Sequence, residues 1–168
     1  MDIVVAAEGH LSWDGQRVRC ALGRGGLRDD KREGDGATPI GSFALRRIFY
    51  RADRLPPPAT GLPVQPLAPD MGWCDDPADA AYNRMVALPF AARHERLWRD
   101  DDLYDLVAVI GYNDDPPLPG LGSAIFLHLA RPDWAPTEGC VALARADLLM
   151  LLAACGAGDR IRIGAAEG

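Results

Sequence analysis

The chain has 168 residues, 48% of them hydrophobic and 25% charged, with a formal net charge of -6 at pH 7. That length suits a single domain over residues 1–168 with a core of useful size. The acidic balance argues against a general nucleic-acid or anionic-membrane binder, so no nucleic-acid partner is expected.

In chain order the pattern is mainly β. Short runs rich in Val, Ile, Leu and Phe predict strands over residues 3–7, 17–22, 41–49, 103–110, 124–129, 140–143 and 160–163. Asp14-Gly15 is a hairpin signal between the first two. The first run is too short for a membrane span or an export signal, and its start is acidic, so it reads as a strand rather than a signal peptide. An integral membrane protein is not expected. Residues 145–155 predict the clearest helix, with Leu148, Leu149, Leu151 and Leu152 on its apolar face, Asp147 in its first turn and Gly156 as its stop.

Two long irregular regions interrupt this framework. Residues 52–81 hold seven prolines, and residues 113–122 hold Pro116, Pro117 and Pro119. Loops of that length inside a compact domain are usually functional. Tyr82-Asn83-Arg84 is placed to wall a groove, with Tyr82 and Arg84 as candidate substrate contacts. Trp73, Trp98 and Trp134 are groove aromatics or core packing. Trp134 is the best groove candidate because it lies between the two residues singled out next. The arginines at 46, 47, 51 and 54, and at 93, 96 and 99, form either a solvated face or a cationic rim for substrate carboxylates.

Four cysteines are too few and too scattered for a disulfide scaffold, and no C-x-x-C pair points to a metal, so none is expected. Cys20 and Cys155 lie in apolar runs and read as packing residues, while Cys74 lies in a polar stretch. Cys140 is different. Glycine precedes it, and His128 closes the apolar run before it, twelve positions upstream. A strand, a loop and a returning strand bring such a pair together. An imidazole that takes the thiol proton makes a nucleophile.

The segment His128…Thr137-Glu138-Gly139-Cys140 resembles the catalytic motif of the L,D-transpeptidases, the YkuD family of peptidoglycan cross-linking enzymes. Glu33-Gly34-Asp35-Gly36-Ala37-Thr38-Pro39-Ile40-Gly41-Ser42-Phe43 is similar to that family's N-terminal signature, and Gly122–His128 to its lead-in to the histidine. Three features depart from the family pattern, the first a spacer shorter than in most members. Glu138 stands where histidine is usual, and Ala142 where Arg or Asn is usual.

The resemblance implies a YkuD-like β-sandwich or barrel with one C-terminal helix and long loops. It implies a cysteine-dependent acyltransferase without a cofactor, acting on donor and acceptor stem peptides as a monomer. His128 is then the base and Cys140 the nucleophile, paired as imidazolium and thiolate. A stem-peptide carbonyl is attacked, and an amine of a second stem resolves the thioester. Gly139 lets the backbone turn and offer N–H groups to the oxyanion, and Thr137 bonds within the loop. Glu138 points to His128, to the acceptor amine or to solvent. Arg131 is a candidate for a substrate carboxylate in place of the polar group lost at Ala142. Water as acceptor gives the alternative of an L,D-carboxypeptidase or endopeptidase, and a non-catalytic peptidoglycan-binding module is a third reading. The substrate implies the periplasm or cell envelope. Without a visible signal peptide, a cytoplasmic site is the alternative.

Overall fold

The computed structural model describes residues 1–164. Strands β1 (Asp2–Ala6), β2 (His10–Trp13) and β3 (Gln16–Ala21) form an antiparallel meander. Asp14 and Gly15 both take positive φ, 41° and 77°, as a two-residue hairpin turn demands. The Asp-Gly signal therefore joins β2 to β3 rather than the first two strands read from sequence. β2 escapes pattern reading because its four residues bury just two apolar side chains, Leu11 and Trp13.

The chain continues through β4 (Leu27–Arg28), β5 (Thr38–Pro39) and the long β6 (Gly41–Tyr50). Next come β7 (Val64–Pro66), β8 (Met71–Cys74), β9 (Met85–Ala87), β10 (His94–Arg96) and β11 (Leu106–Ile110). It ends with β12 (Phe126–Leu129), β13 (Val141–Leu143), helix α1 (Arg145–Ala154) and β14 (Arg160–Ile163). The main sheet runs β11-β12-β13-β3-β2-β1-β14-β6-β7. β6 closes it into a barrel, because its first half pairs with β14 and its second half with β11. The mainly β barrel and its C-terminal helix agree with the fold expected from sequence.

Residues 52–81 are not irregular throughout. They hold β7 and also β8, the centre of a three-stranded sheet ordered β10-β8-β9. Pro66 is tolerated in β7 because that strand lies at the sheet's edge. Cys74, read as lying in a polar loop, ends β8 with none of its surface exposed. The helix is one residue shorter than expected. Cys155 turns extended (φ -79°, ψ 145°) and its N–H caps Leu152 O, so no left-handed glycine is needed.

Helix α1 buries Leu148, Leu151 and Leu152 in the barrel core, which also takes Ile3, Val5, Ile161 and Ile163 from the first and last strands. A second apolar cluster lies on the other side of β11 and β12, under the three-stranded sheet. Phe49, Trp73, Leu97, Tyr104 and Phe126 form its body. Strands β11, β12 and β13 are buried on both faces. They therefore read as continuous apolar runs rather than alternating ones.

Candidate active site

Strand parity builds the site. Side chains alternate between the two faces of a strand. Along β12, Leu127 and Leu129 join the barrel core, which turns Phe126 and His128 to the outer face. Along β13, Val141 and Leu143 join the barrel core, which turns Ala142 outward with Cys140 just before it. The strands run parallel, with Leu127 opposite Val141 and His128 opposite Ala142. Cys140, Ala142 and His128 thus line one cleft of about 270 Å³. Alanine at 142 leaves the floor of that cleft low.

The cysteine is nearly enclosed, with 8% of its surface exposed. Its Sγ donates to Ala124 O at 3.2 Å and accepts from Phe126 N–H at 3.4 Å. Burial, with the Glu95 charge adding to it, pushes the thiol up to about 12. His128 is 6% exposed, and burial lowers its imidazole to about 4, with Arg99 and Arg131 acting in the same direction. Both shifts run against the expected thiolate–imidazolium pair in this fold. Burial of the two side chains opposes charge on either, and the Arg99 and Arg131 guanidiniums oppose an imidazolium further. Nδ1 of His128 lies 2.9 Å from Leu129 O. A carbonyl can only accept, so Nδ1 carries the proton and Nε2 is left basic.

The loop before the cysteine is closed by Thr137. Its Oγ1 donates to Cys140 O at 2.6 Å and accepts from Gly139 N–H at 3.1 Å. Gly139 N–H is thereby used inside the loop rather than offered to an oxyanion, contrary to expectation. The glycine is still required. Its φ is 137°, and a Cβ there would stand 2.8 Å from Ala37 O. This close approach joins the Asp35–Pro39 signature to the cysteine loop. Asp35 fixes its own turn by accepting from Lys31 Nζ, Arg32 N–H and Ala37 N–H. These bonds outweigh desolvation and hold its carboxyl down at about 2.

Glu138 does not turn to His128. It lies at the exposed rim and accepts from Arg24 Nε at 2.9 Å. Arg131 does line the cleft, at an exposed position. Trp134 does not. It is half-buried under the Arg19 guanidinium, 4.5 Å from its centroid, so it packs the loop from outside. Tyr82 is buried and donates to Glu33 Oε1 at 2.7 Å, which makes it a strut rather than a substrate contact. Arg84 lines a separate cavity of about 350 Å³ whose walls include neither Cys140 nor His128. The arginine-rich rim is largely neutralised. Arg46, Arg51, Arg54, Arg93 and Arg99 pair with Asp114, Asp53, Asp105, Asp75 and Asp101. Trp73 is core, edge-on to Phe126, and Trp98 lies under Arg51.

Sequence patterns give no signal for Tyr104 and Glu95, and Asn83, expected only as part of a groove wall, has a more specific part. Asn83, buried with φ 56°, accepts at one oxygen from Trp73 Nε1 and from Ala124 N–H, both at 3.0 Å. Ala124, itself at φ 54°, then presents its carbonyl to the thiol. Asn83 thus couples the small sheet to the sulfur. Tyr104 sets its ring 5.3 Å from the His128 ring, and its hydroxyl donates to Glu95 Oε1 at 2.8 Å. Glu95 and Tyr104 lie in the cleft wall with Cys140 and His128. Only the tertiary packing of β10 against the outer barrel face brings them there. Among the described residues, no group of three or more His, Cys, Asp or Glu side chains is placed to hold a metal ion.

The L,D-transpeptidase catalytic domain (YkuD) matches this chain over residues 3–163. The solved structure of Mycobacterium tuberculosis L,D-transpeptidase 1 aligns with 98% of the chain at 13% identity and a TM-score of 0.41. The chain spans 60% of the length of that protein. No curated protein matches it.

Proposed function

We propose, from the premise that the chain belongs to the YkuD family of L,D-transpeptidase catalytic domains, that it cross-links peptidoglycan stem peptides through an acyl-enzyme on Cys140. One observation carries this reading: the thiol and the imidazole share the outer face of two paired strands at the wall of a single cleft.

With the thiol held near 12 and the imidazole near 4, proton transfer accompanies attack rather than preceding it. His128 Nε2 takes the Cys140 proton as sulfur bonds to the donor carbonyl. Arg99 and Arg131 disfavour the imidazolium. It therefore discharges quickly to the departing amine, leaving a thioester and a neutral histidine. The N–H of Cys140 itself is the main-chain donor beside the acyl carbon, since that of Gly139 is bonded to Thr137. An amine of a second stem then attacks the thioester, His128 receives its proton, and the thiol is restored. A peptidoglycan substrate supports a working site in the cell envelope, with the cytoplasm as the alternative. Among the described residues, no helix is long and apolar enough to cross a membrane.

The test is digestion of purified muropeptides followed by mass spectrometry. The wild-type protein is expected to give an acyl adduct on Cys140 and cross-linked dimers, and Cys140→Ala neither. Hydrolysed monomers without dimers would replace transfer by carboxypeptidase chemistry. Equal products from both proteins would overturn the assignment.

A further inference from the structure

Four carboxylates line the cleft beside Cys140: Glu33, Asp75, Glu95 and Glu138. Three are already engaged. Glu33 Oε1 accepts from Tyr82 OH at 2.7 Å and from Ser123 Oγ at 2.5 Å. Asp75 pairs with Arg93 at 3.2 Å. Glu138 pairs with Arg24 in solvent.

Glu95 differs from Asp75 and Glu138 in having no guanidinium bonded to it, and from Glu33 in accepting one hydroxyl bond rather than two. Among the described residues it forms no ion pair within 4 Å, and its hydrogen bond comes from a neutral donor, Tyr104 OH. The guanidinium of Arg99, which also lines the cleft, spends its Nε and Nη2 on Asp101. Burial raises the Glu95 carboxyl above the ordinary range, the Tyr104 bond and Arg99 oppose this, and Asp75 and Glu33 add to it. The Glu95 charge also reaches the sulfur, where it opposes ionisation of Cys140. A half-buried carboxylate whose hydrogen bond comes from a neutral hydroxyl, in the wall of the cleft that holds the acylated sulfur, is a site for a cation.

We propose that Glu95 receives the ammonium of the acceptor and takes its proton, so that the free amine forms against the thioester on Cys140. This deepens the function proposed above and rests on it. The balance is simple. R–NH3+ and the Glu95 carboxylate become R–NH2 and the carboxylic acid. The amine nitrogen attacks the thioester carbon, and His128 Nε2 takes the second N–H proton. The C–S bond then breaks, and the departing sulfur recovers that proton as the amide forms. Glu95 returns its own proton to solvent. The two bases divide the work: His128 serves the sulfur and Glu95 the incoming amine. Tyr104 is a positioning residue for both, with its ring on His128 and its hydroxyl on Glu95.

Glu95→Gln keeps the shape and the Tyr104 bond while removing the charge. The test preforms the acyl-enzyme with a stem-peptide donor and offers one of two acceptors at pH 7. Glycinamide is mostly a cation at that pH, and hydroxylamine is mostly neutral. Acylation of Glu95→Gln is expected to be at least as fast as wild type, because the charge opposing thiol ionisation is gone. Its kcat/KM for glycinamide is expected to fall tenfold or more, with hydroxylamine changed less than twofold and Glu95→Asp restoring part of the loss. Equal losses for both acceptors would assign Glu95 a merely structural part and overturn the proposal, as would no loss for either. A wild-type protein that forms no acyl-enzyme overturns the proposed function itself, and this assignment with it.

Discussion

The two faces of β12 and β13 carry different chemistry. Leu127, Leu129, Val141 and Leu143 face the barrel core and are aliphatic without exception. Phe126, His128, Cys140 and Ala142 face outward, and the aromatic and titratable groups are gathered there. One step along a strand separates the two environments. Substitutions along β12 and β13, and on Cys140 beside them, should therefore divide by parity into those that change stability and those that change chemistry.

The sharpest break is expected at the sulfur. Cys140→Ala should abolish the acyl adduct in intact-mass spectra while the thermal midpoint stays within a few degrees of wild type. His128→Ala comes next. Loss of a general base is expected to slow acylation by about a hundredfold or more, followed by stopped-flow or quenched mass spectrometry, with the circular dichroism spectrum retained. An inner-face change should do the opposite. Leu143→Ala removes a fully buried side chain, so about 2–5 kcal/mol of stability is expected to disappear in urea titrations. Acylation by the molecules that remain folded should keep its rate.

The outer face carries its own signature in pH. His128 is held at about 4 in the fold against about 6.5 unfolded. The folded state therefore binds fewer protons between those values, and stability falls as pH drops through that window. The imidazole's contribution is complete above about 6.5 and exhausted below about 4, and it amounts to on the order of 3 kcal/mol. Urea midpoints at pH 7 and pH 4 measure it, and His128→Ala should flatten the difference. A variant that loses as much stability on acidification as wild type would place the titrating group elsewhere. The smallest effect is expected at Glu138. Its partner is Arg24 at the exposed rim, so Glu138→Gln should change acylation and the dimer-to-monomer ratio by less than twofold.

Much of the barrel is legible in sequence because its strands are apolar runs, and the order of three motifs along the chain marks the cleft. What stays hidden has identifiable causes. β2 has too few residues for a pattern, and β8, β9 and β10 are three- and four-residue strands set among prolines and aspartates. Glu138 draws attention because it sits two residues from the cysteine in the chain. Glu95, 45 positions upstream of that cysteine (140 − 95 = 45), reaches the cleft through the pairing of β10 with β8 and the packing of Trp73 against Phe126. Trp134 misleads for the same reason. It is near the site in sequence, but a left-handed turn at φ 57° and the Arg19 guanidinium hold it outside.

The ring of strands has a consequence in time. β1 bonds in parallel to β14, and β14 in turn bonds to β6, so a strand near residue 160 separates the first strand from the sheet's longest one. Until Arg160–Ile163 leaves the ribosome, β1 and β6 keep unsatisfied edges that invite pairing with other chains. Contacts this distant in sequence also close slowly. The cleft is built from strands that come earlier, yet their final support arrives with this late strand.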